Sequence, residues 1–149
     1  MQSIAIQSVI ENLMQVEDFL TCFCDDSHIN NYFATISVPV LQAVENAIVH
    51  GNKGDACRQV RIEAGNCKGG VYFTIEDEGV GFDYQKYCRE DFVESQGIFL
   101  IKTLSDKIEY SEGGRKLRLE FEINGIDGVE SLERIVKLQK FSVRKSIVA

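Results

Sequence analysis

An aspartate and two glycines follow a short apolar segment at a spacing that could do chemistry. Residues 71–75 read Val-Tyr-Phe-Thr-Ile, which predicts a buried strand, and Asp77, Gly79 and Gly81 come just after it. A carboxylate at the end of a strand can accept hydrogen bonds from a planar ring that carries an amino group. Glycine has no Cβ, so the backbone can turn sharply and a ligand can approach it closely. The pattern predicts a nucleotide site built around Asp77.

The elements that must position this site follow from hydrophobic periodicity and from turn residues. The second predicted helix contains Pro39, near which we expect an interruption, with Ser37 as the N-cap. The order of elements predicts an α+β two-layer sandwich, with a mixed, largely antiparallel sheet, helices on one face and a C-terminal helical tail. We expect strands at 3–8, 59–64, 71–76, 107–111 and 116–123, helices at 9–25, 30–50, 97–104 and 129–141, and a mobile loop or short helix at 83–94.

The bulk composition is typical of one soluble domain. The chain has 149 residues, of which 44% are hydrophobic and 26% are charged, enough for a real core and a polar surface. No apolar run approaches the roughly 20 residues that span a bilayer, and the first residues do not resemble a secretory signal, so we expect a cytoplasmic protein without membrane contact. The five cysteines lack paired spacing, which favours reduced thiols. The net charge of −7 disfavours direct nucleic-acid binding.

Residues 124–149 differ from the rest in charge. They carry five basic and three acidic side chains, whereas the whole chain is strongly acidic. We therefore divide the chain into a domain at 1–123 and an amphipathic tail at 124–149. The tail could dock on its own domain, pair in a dimer or contact a partner.

Three segments of the chain together carry a family resemblance. Asn46 lies in Glu-Asn-Ala-Ile-Val-His-Gly near the end of the second helix, Asp77 begins Asp-x-Gly-x-Gly, and Gly97 opens the third helix after Ser95. With the Gly-Gly turn at 113–114, these segments resemble the GHKL, or histidine-kinase-like, ATPase superfamily with its Bergerat-type fold. Within it, residues 3–123 are similar to the bacterial anti-sigma factor serine/threonine kinases of partner-switching systems.

The resemblance implies a role for each matched position. Asn46 corresponds to the asparagine that binds the Mg²⁺ bridging the phosphates, and Asp77 to the acid that reads adenine. Gly79 and Gly81 correspond to the wall beside the base, and Gly97 to a helix N-terminus that offers backbone N–H groups to phosphate. The implied cofactors are ATP, or ADP, and Mg²⁺.

Three positions depart from the family pattern. The glutamate that serves as general base, one helical turn before the asparagine, is replaced by Gln42. A carboxamide can orient a hydroxyl group but cannot take its proton near neutral pH. Ser95 stands where the lid-closing segment has its first glycine, and Arg115 stands where a small hydroxyl residue often follows the Gly-Gly turn.

Two functions remain open at this point. The first is an anti-sigma regulator that phosphorylates an antagonist protein on serine; the second is a non-catalytic module that senses nucleotide and binds its partners without chemistry. The resemblance implies a sigma factor and an anti-sigma antagonist as partners, and a homodimer. A detached ATPase domain of a sensor kinase is a weaker alternative.

Overall fold

The computed structural model describes residues 1–81 and 96–123, together with the backbone but not the side chain of Gln96. The predicted loop at 83–94, Ser95 and the predicted helix at 129–141 lie outside the described residues.

The described strands form one five-stranded sheet in the order β1-β2-β3-β5-β4. Every pairing among the described strands is antiparallel. The sequence predicted a largely antiparallel sheet, which these strands form, but they include no parallel pair that would make the sheet mixed. Strand β3 lies at the centre, and β5 pairs with it although a helix and β4 intervene in the chain. The strands are β1 (Gln2–Gln7), β2 (Gln59–Cys67), β3 (Gly70–Glu76), β4 (Lys107–Ser111) and β5 (Lys116–Glu122).

Helices pack on one face of this sheet, as the predicted α+β sandwich requires. They are α1 (Leu13–Asp26), α2 (Phe33–Asn46) and α3 (Gln96–Leu104). Alternate residues of the strands point at the helices, because successive strand side chains face opposite sides. The core includes side chains that are at most 3% exposed: Val16, Leu20, Ile36, Val40, Val44, Val60, Ile62, Val71, Phe73, Ile75, Ile101, Leu119 and Phe121.

Helix α2 continues through Pro39, so the predicted interruption is wrong. The helix begins at Phe33, which places Ser37 inside it and buried, not at its N-cap. A proline inside a helix costs about 3 kcal/mol. Burying each of Ile36 and Val40 contributes about 1.5–3 kcal/mol, so the packing of this face outweighs the local preference.

A π-helical turn, Ala47–Gly51, extends α2 towards Asp77, which follows the central strand β3. The N–H of Asn52 donates to the carbonyl oxygen of Ala47 at 2.8 Å, a bond that spans five residues. π-Helical turns are rare overall, but those that occur often lie at functional sites. A short 3₁₀ turn, α2 and the π-helical turn form one continuous helical stretch, Asn30–Gly51. By length and composition alone, this stretch could cross a membrane. Its apolar residues instead fill the core, as in the central helix of many compact domains.

The β2–β3 hairpin is tighter than predicted. The sequence suggested a connection over residues 65–70, but the strands pair as far as Cys67 and Gly70. Only Lys68 and Gly69 turn the chain, and Gly69 has the positive φ of 81° that such a two-residue turn uses.

Candidate functional site

Asp77 follows β3 and is held in place by its own loop. Its backbone N–H donates to the carbonyl oxygen of Arg115 at 3.0 Å, which ties the end of β3 to the turn before β5. Its Oδ1 atom accepts the backbone N–H of Gly79 at 2.8 Å, so the plane of the carboxylate is fixed. Burial raises the pKa of Asp77 above the ordinary aspartate value, while the bond from Gly79 and the charge of Arg115 act in the opposite direction.

Two glycines enclose the carboxylate of Asp77. A Cβ atom on Gly51 would collide with the Oδ2 atom of Asp77, and one on Gly79 would collide with the carbonyl oxygen of Gly51. The backbones of the π-helical turn and of the loop after β3 therefore approach each other in a way that only glycine permits. A side chain at either position would push Asp77 away from the end of α2.

Gly81 brings the turn between β4 and β5 to the same place. It has a φ of 82°, and a Cβ atom there would collide with the carbonyl oxygen of Gly113. Gly113 and Gly114 have positive φ values of 68° and 97°. The Gly-Gly turn and the Asp-x-Gly-x-Gly loop therefore pack against each other as one surface.

The side chain of Arg115 pairs with its own turn. Its Nε donates to the carbonyl oxygen of Glu112 at 3.2 Å, and its guanidinium group lies 3.8 Å from the carboxylate of the same residue. The guanidinium group of Arg115, which stands where the family often has a small hydroxyl residue, is therefore paired with Glu112.

A second group of predicted residues meets where α2 faces the start of α3. The Nε2 atom of Gln42 donates to Oδ1 of Asn46 at 3.3 Å and approaches the carboxylate of Glu45 at 3.5 Å. The same Nε2 atom would lie 2.8 Å from a Cβ atom on Gly97, so the carboxamide rests against the bare backbone of α3. Gln42 therefore contacts both Asn46 and Gly97.

The two groups belong to one helical stretch. Asn46 precedes Gly51 by five residues, which corresponds to roughly 7 Å along a helix axis. Asp77 and its glycines lie beside the Gly51 end of this stretch, and Gly97 lies beside Gln42, earlier in the same stretch. The structure therefore brings the predicted site residues that it describes to α2 and its π-helical turn. Ser95 lies outside the described residues.

Asn52 is structurally important here, although the sequence indicated only that it lies in the turn that ends the second helix. Asn52 is 1% exposed, and its Nδ2 donates to Oγ of Ser8 at 2.8 Å and to the carbonyl oxygen of Gln59 at 3.0 Å. Its Oδ1 accepts the N–H of Glu78 at 2.8 Å. Asn52 therefore joins the ends of α2, β1 and β3. Its position after a glycine at a helix end was the only signal, and that signal also fits an ordinary turn.

The described residues fit a nucleotide with a magnesium ion. A Cβ atom on Gly51 or Gly79 would collide with the Asp77 carboxylate or with the Gly51 carbonyl oxygen, so the two glycines allow the backbone to close around Asp77. A carboxylate held in this way can accept a hydrogen bond from the amino group of a purine. Asn46 supplies an amide oxygen, a ligand type that Mg²⁺ accepts. Across residues 1–81 and 96–123, no cluster of three or more His, Cys, Asp or Glu side chains could hold a metal.

Comparison with known proteins agrees with this geometry. Residues 6–121 match the family model of the histidine kinase-like ATPase domain. The chain belongs to this family, and the GHKL resemblance inferred from the three segments is confirmed.

Curated relatives in the same family carry a more specific name. Proteins called anti-sigma F factor from Clostridium perfringens are 33% identical to this chain. In strain 13 the match runs over 100 residues, 60% of this chain and 71% of the relative; in strain SM101 it runs over 93 residues, 56% and 66%. The similarity to anti-sigma factors is therefore confirmed over about two thirds of these relatives.

A solved structure supports the fold alone. The histidine kinase domain of the blue-light activated histidine kinase EL346 from Erythrobacter litoralis superposes with a TM-score of 0.50 and 18% identity. The match covers 62% of this chain and 45% of that one, so the present chain spans less than half of that protein. The predicted histidine-kinase-like architecture is confirmed.

Proposed function

We propose that this chain is an anti-sigma-type regulator that binds ATP or ADP with Mg²⁺ and alternates between a sigma factor and an antagonist protein. The observation that carries the proposal is the carboxylate of Asp77, fixed by the N–H of Gly79 and faced by the bare backbone of Gly51. Relatives named anti-sigma F factor support the regulatory part.

Recognition of the base rests on Asp77. The bond from Gly79 orients the carboxylate, and an amino group of a purine would donate to it. Hydrogen bonds to charged groups are worth about 1.5–3 kcal/mol, which is enough to favour adenine over a ring without the amino group. Gly79 and Gly81 form the wall beside the base.

Binding of the phosphates rests on α2 and α3. Asn46 would hold Mg²⁺ through its Oδ1 atom, and the ion would supply charge neutralisation for the phosphates. The first turn of α3, with Gly97, would offer backbone N–H groups and the positive end of the helix dipole. Ser95 would contribute to the segment that closes over the phosphates.

Gln42 favours the non-catalytic alternative for the chemical step. Its Nε2 atom already donates towards Asn46 and Glu45, and no form of a carboxamide takes a proton near neutral pH. Phosphoryl transfer depends mainly on positioning and charge, so a kinase without the base would be slowed by about 10²–10⁴-fold. Nucleotide would then act chiefly by stabilising one of two partner-binding states.

The remaining parts of the proposal concern the setting. We place the protein in the cytoplasm as a homodimer, with proteins rather than nucleic acid or membrane as its partners. The acidic net charge of −7 supports a protein partner over a polyphosphate backbone. Residues 1–123 would form the ATPase domain, and 124–149 a separate tail.

A phosphotransfer assay distinguishes the two alternatives. The purified full chain is mixed with a cognate antagonist, Mg²⁺ and ATP labelled at the γ-phosphate, and transfer to serine is measured. We expect little or no transfer by the natural chain, and an increase of about 10²-fold or more with Gln42→Glu. Rapid transfer by the natural chain would contradict the non-catalytic alternative. Failure of the antagonist to bind with any nucleotide would contradict the regulatory role itself.

A further inference from the structure

The hydrogen bond between Gln42 and Asn46 uses the oxygen atom on which metal binding depends. Gln42 Nε2 donates to Oδ1 of Asn46 at 3.3 Å. A glutamate at position 42 has no hydrogen to donate when ionised, so it could not make this bond. The replacement therefore does more than remove a base, because it introduces a donor aimed at a candidate metal ligand.

The neighbours of Gln42 favour this orientation of its carboxamide. Glu45, on the next turn of the helix, faces the same Nε2 atom at 3.5 Å, which favours the NH₂ group on that side. On the other side, the carboxamide lies against Gly97, whose missing side chain gives it room. The donor is thus held between α2 and the first turn of α3.

An N–H group and a divalent cation oppose each other at one oxygen. The hydrogens of Nε2 carry partial positive charge, so an ion bound at Oδ1 of Asn46 would repel them. Oδ1 has a second lone pair, but an ion bound there would still lie close to these hydrogens, so its strongest binding requires the carboxamide of Gln42 to rotate and lose its bonds to Asn46 and Glu45. Each such bond is worth about a two- to tenfold change in affinity.

We propose that Gln42 is a positioning residue that makes Mg²⁺ compete with the protein for Oδ1 of Asn46, so that nucleotide binding by this chain depends less on Mg²⁺ than it would without this donor. The inference rests on the proposed nucleotide site and specifies how that site is regulated. The advantage that the ion gives to ADP or ATP binding would be reduced by about two- to tenfold for each bond that it must break. Nucleotide occupancy would then respond less to changes in Mg²⁺ concentration.

The test is calorimetric titration of the full chain with ADP, once in Mg²⁺ and once in EDTA. The measured quantity is the dissociation constant of ADP in EDTA divided by its dissociation constant in Mg²⁺, so a larger ratio means a stronger dependence on the ion. Gln42→Met removes the donor without adding charge and keeps a helix-forming side chain. Gln42→Glu removes the donor and adds charge. Gln15→Glu is the matched control, because Gln15 makes a similar bond to Asn12 at 3.0 Å on an exposed part of α1.

We expect the same ratio for the natural chain and for Gln15→Glu. Gln42→Met should raise the ratio by about two- to tenfold, and Gln42→Glu by at least as much. In ¹⁵N-labelled protein, Mg²⁺ added to the ADP complex should shift the side-chain amide signals of Gln42 and Asn46.

Three outcomes are decisive. A strong Mg²⁺ dependence in the natural chain that Gln42→Met leaves unchanged overturns the inference but leaves the proposed nucleotide site standing. Tighter binding in Mg²⁺ for Gln42→Glu alone, with Gln42→Met like the natural chain, also overturns it, because added charge would then explain the effect. Absence of ADP binding by every variant in both buffers overturns the proposed site and the inference with it.

Discussion

Asp77 is held in an environment that disfavours its own charge. It is partly buried, and burial raises its pKa despite the bond from Gly79 and the charge of Arg115. A carboxylate whose pKa is higher in the folded than in the unfolded chain begins to destabilise the fold as the pH rises above the unfolded pKa, and does so fully above the raised pKa. The strain is consistent with a group kept for binding rather than for stability.

Asp77→Asn should therefore stabilise the unliganded protein at neutral pH while weakening nucleotide binding. Asparagine can still accept the Gly79 N–H but carries no charge. The stability advantage of the variant should shrink as the pH falls, since the natural carboxyl becomes protonated below its raised pKa. Urea unfolding of both proteins at pH 7 and at pH 4–5 measures this difference. A variant that is less stable than the natural chain at pH 7 would contradict the assignment of the strain to Asp77.

The same shift gives nucleotide affinity a pH dependence. Only the ionised carboxylate accepts two hydrogen bonds without rearrangement, so protonation of Asp77 should weaken ADP binding. We expect affinity to fall on acidification at a pH above the ordinary aspartate value of about 3.9. Titrations between pH 4.5 and 7.5 measure it, and Asp77→Asn should flatten the profile. An equal fall with pH in the variant would assign the effect to another group.

At this scale the sequence predicted the Asp77 group well and the Gly51 contact poorly. Asp-x-Gly-x-Gly after an apolar strand is a local pattern, so Asp77, Gly79 and Gly81 could be chosen without a structure. The approach of Gly51 to Asp77 joins residues 26 positions apart, and nothing local in the chain encodes it. Contact between Gln42 and Asn46 could be predicted from the sequence, because the two residues lie one helical turn apart. The orientation of the Gln42 carboxamide could not be predicted in this way.

At the scale of elements, Asn52 joins three chain segments that would otherwise only approach one another. Asn52→Ala would leave the N–H of Glu78 and the carbonyl oxygen of Gln59 without this partner. We expect a loss of about 1–3 kcal/mol in the free energy of unfolding, because Asn52 is 1% exposed and its three hydrogen bonds, of which the one to Ser8 is buried, would all be lost. Urea denaturation measures the loss. Asn66→Ala, on an exposed strand position, is the control and should change stability by less than about 0.5 kcal/mol.

A comparison of two glycines with positive φ distinguishes the cost of backbone strain from the cost of close packing. Gly81 has a φ of 82° and meets Gly113, whereas Gly54 has a φ of 70° and nothing within 4 Å of its Cβ position. Gly54→Ala should therefore cost only the conformational penalty of about 1 kcal/mol. Gly81→Ala should cost at least about 2 kcal/mol, because overpacking adds to that penalty. Equal losses in denaturant unfolding would mean that the turn at 112–114 moves away freely.

Local patterns predicted most element boundaries but failed where packing overrides them. The strands at 107–111 and 116–122 follow from alternation and the Gly-Gly turn, which are local signals. Pro39 is a local signal for interruption, but α2 continues through it because Ile36 and Val40 are buried on the sheet. Pairing of β3 with β5 is a long-range contact that neither strand announces by itself.

At the scale of the whole molecule, one core joins the described helices to the central strands. Three aromatic rings illustrate the core, since Phe23 meets Phe73 at 5.3 Å and Phe73 meets Phe121 at 5.8 Å between ring centres, both edge to face. Such pairs add about 0.5–1.5 kcal/mol each beyond burial. The core thus ties α1 to the two central strands that carry the site.

A chain that ends after Ile123 should fold cooperatively and keep its affinity for ADP within a factor of about three, a change below 1 kcal/mol. The match to the family model ends at residue 121, before this point. Thermal unfolding and calorimetry measure the two properties, with the full chain as the control. A tenfold loss of affinity in a folded truncated chain would assign part of the site to the tail. Masses of both forms in solution, if each shows the same number of subunits, would argue against a dimer that depends on residues 124–149.

The central claim is that Asp77 marks a nucleotide site, and one paired titration tests it most directly. ADP is titrated calorimetrically into the full natural chain, into Asp77→Asn and into Asp18→Asn, which removes an exposed charge on α1. The account predicts saturable binding at one site per chain, weakened roughly ten- to a hundredfold by Asp77→Asn and unchanged by Asp18→Asn. Absence of binding by the natural chain up to millimolar ADP, or equal affinity in Asp77→Asn, would contradict it.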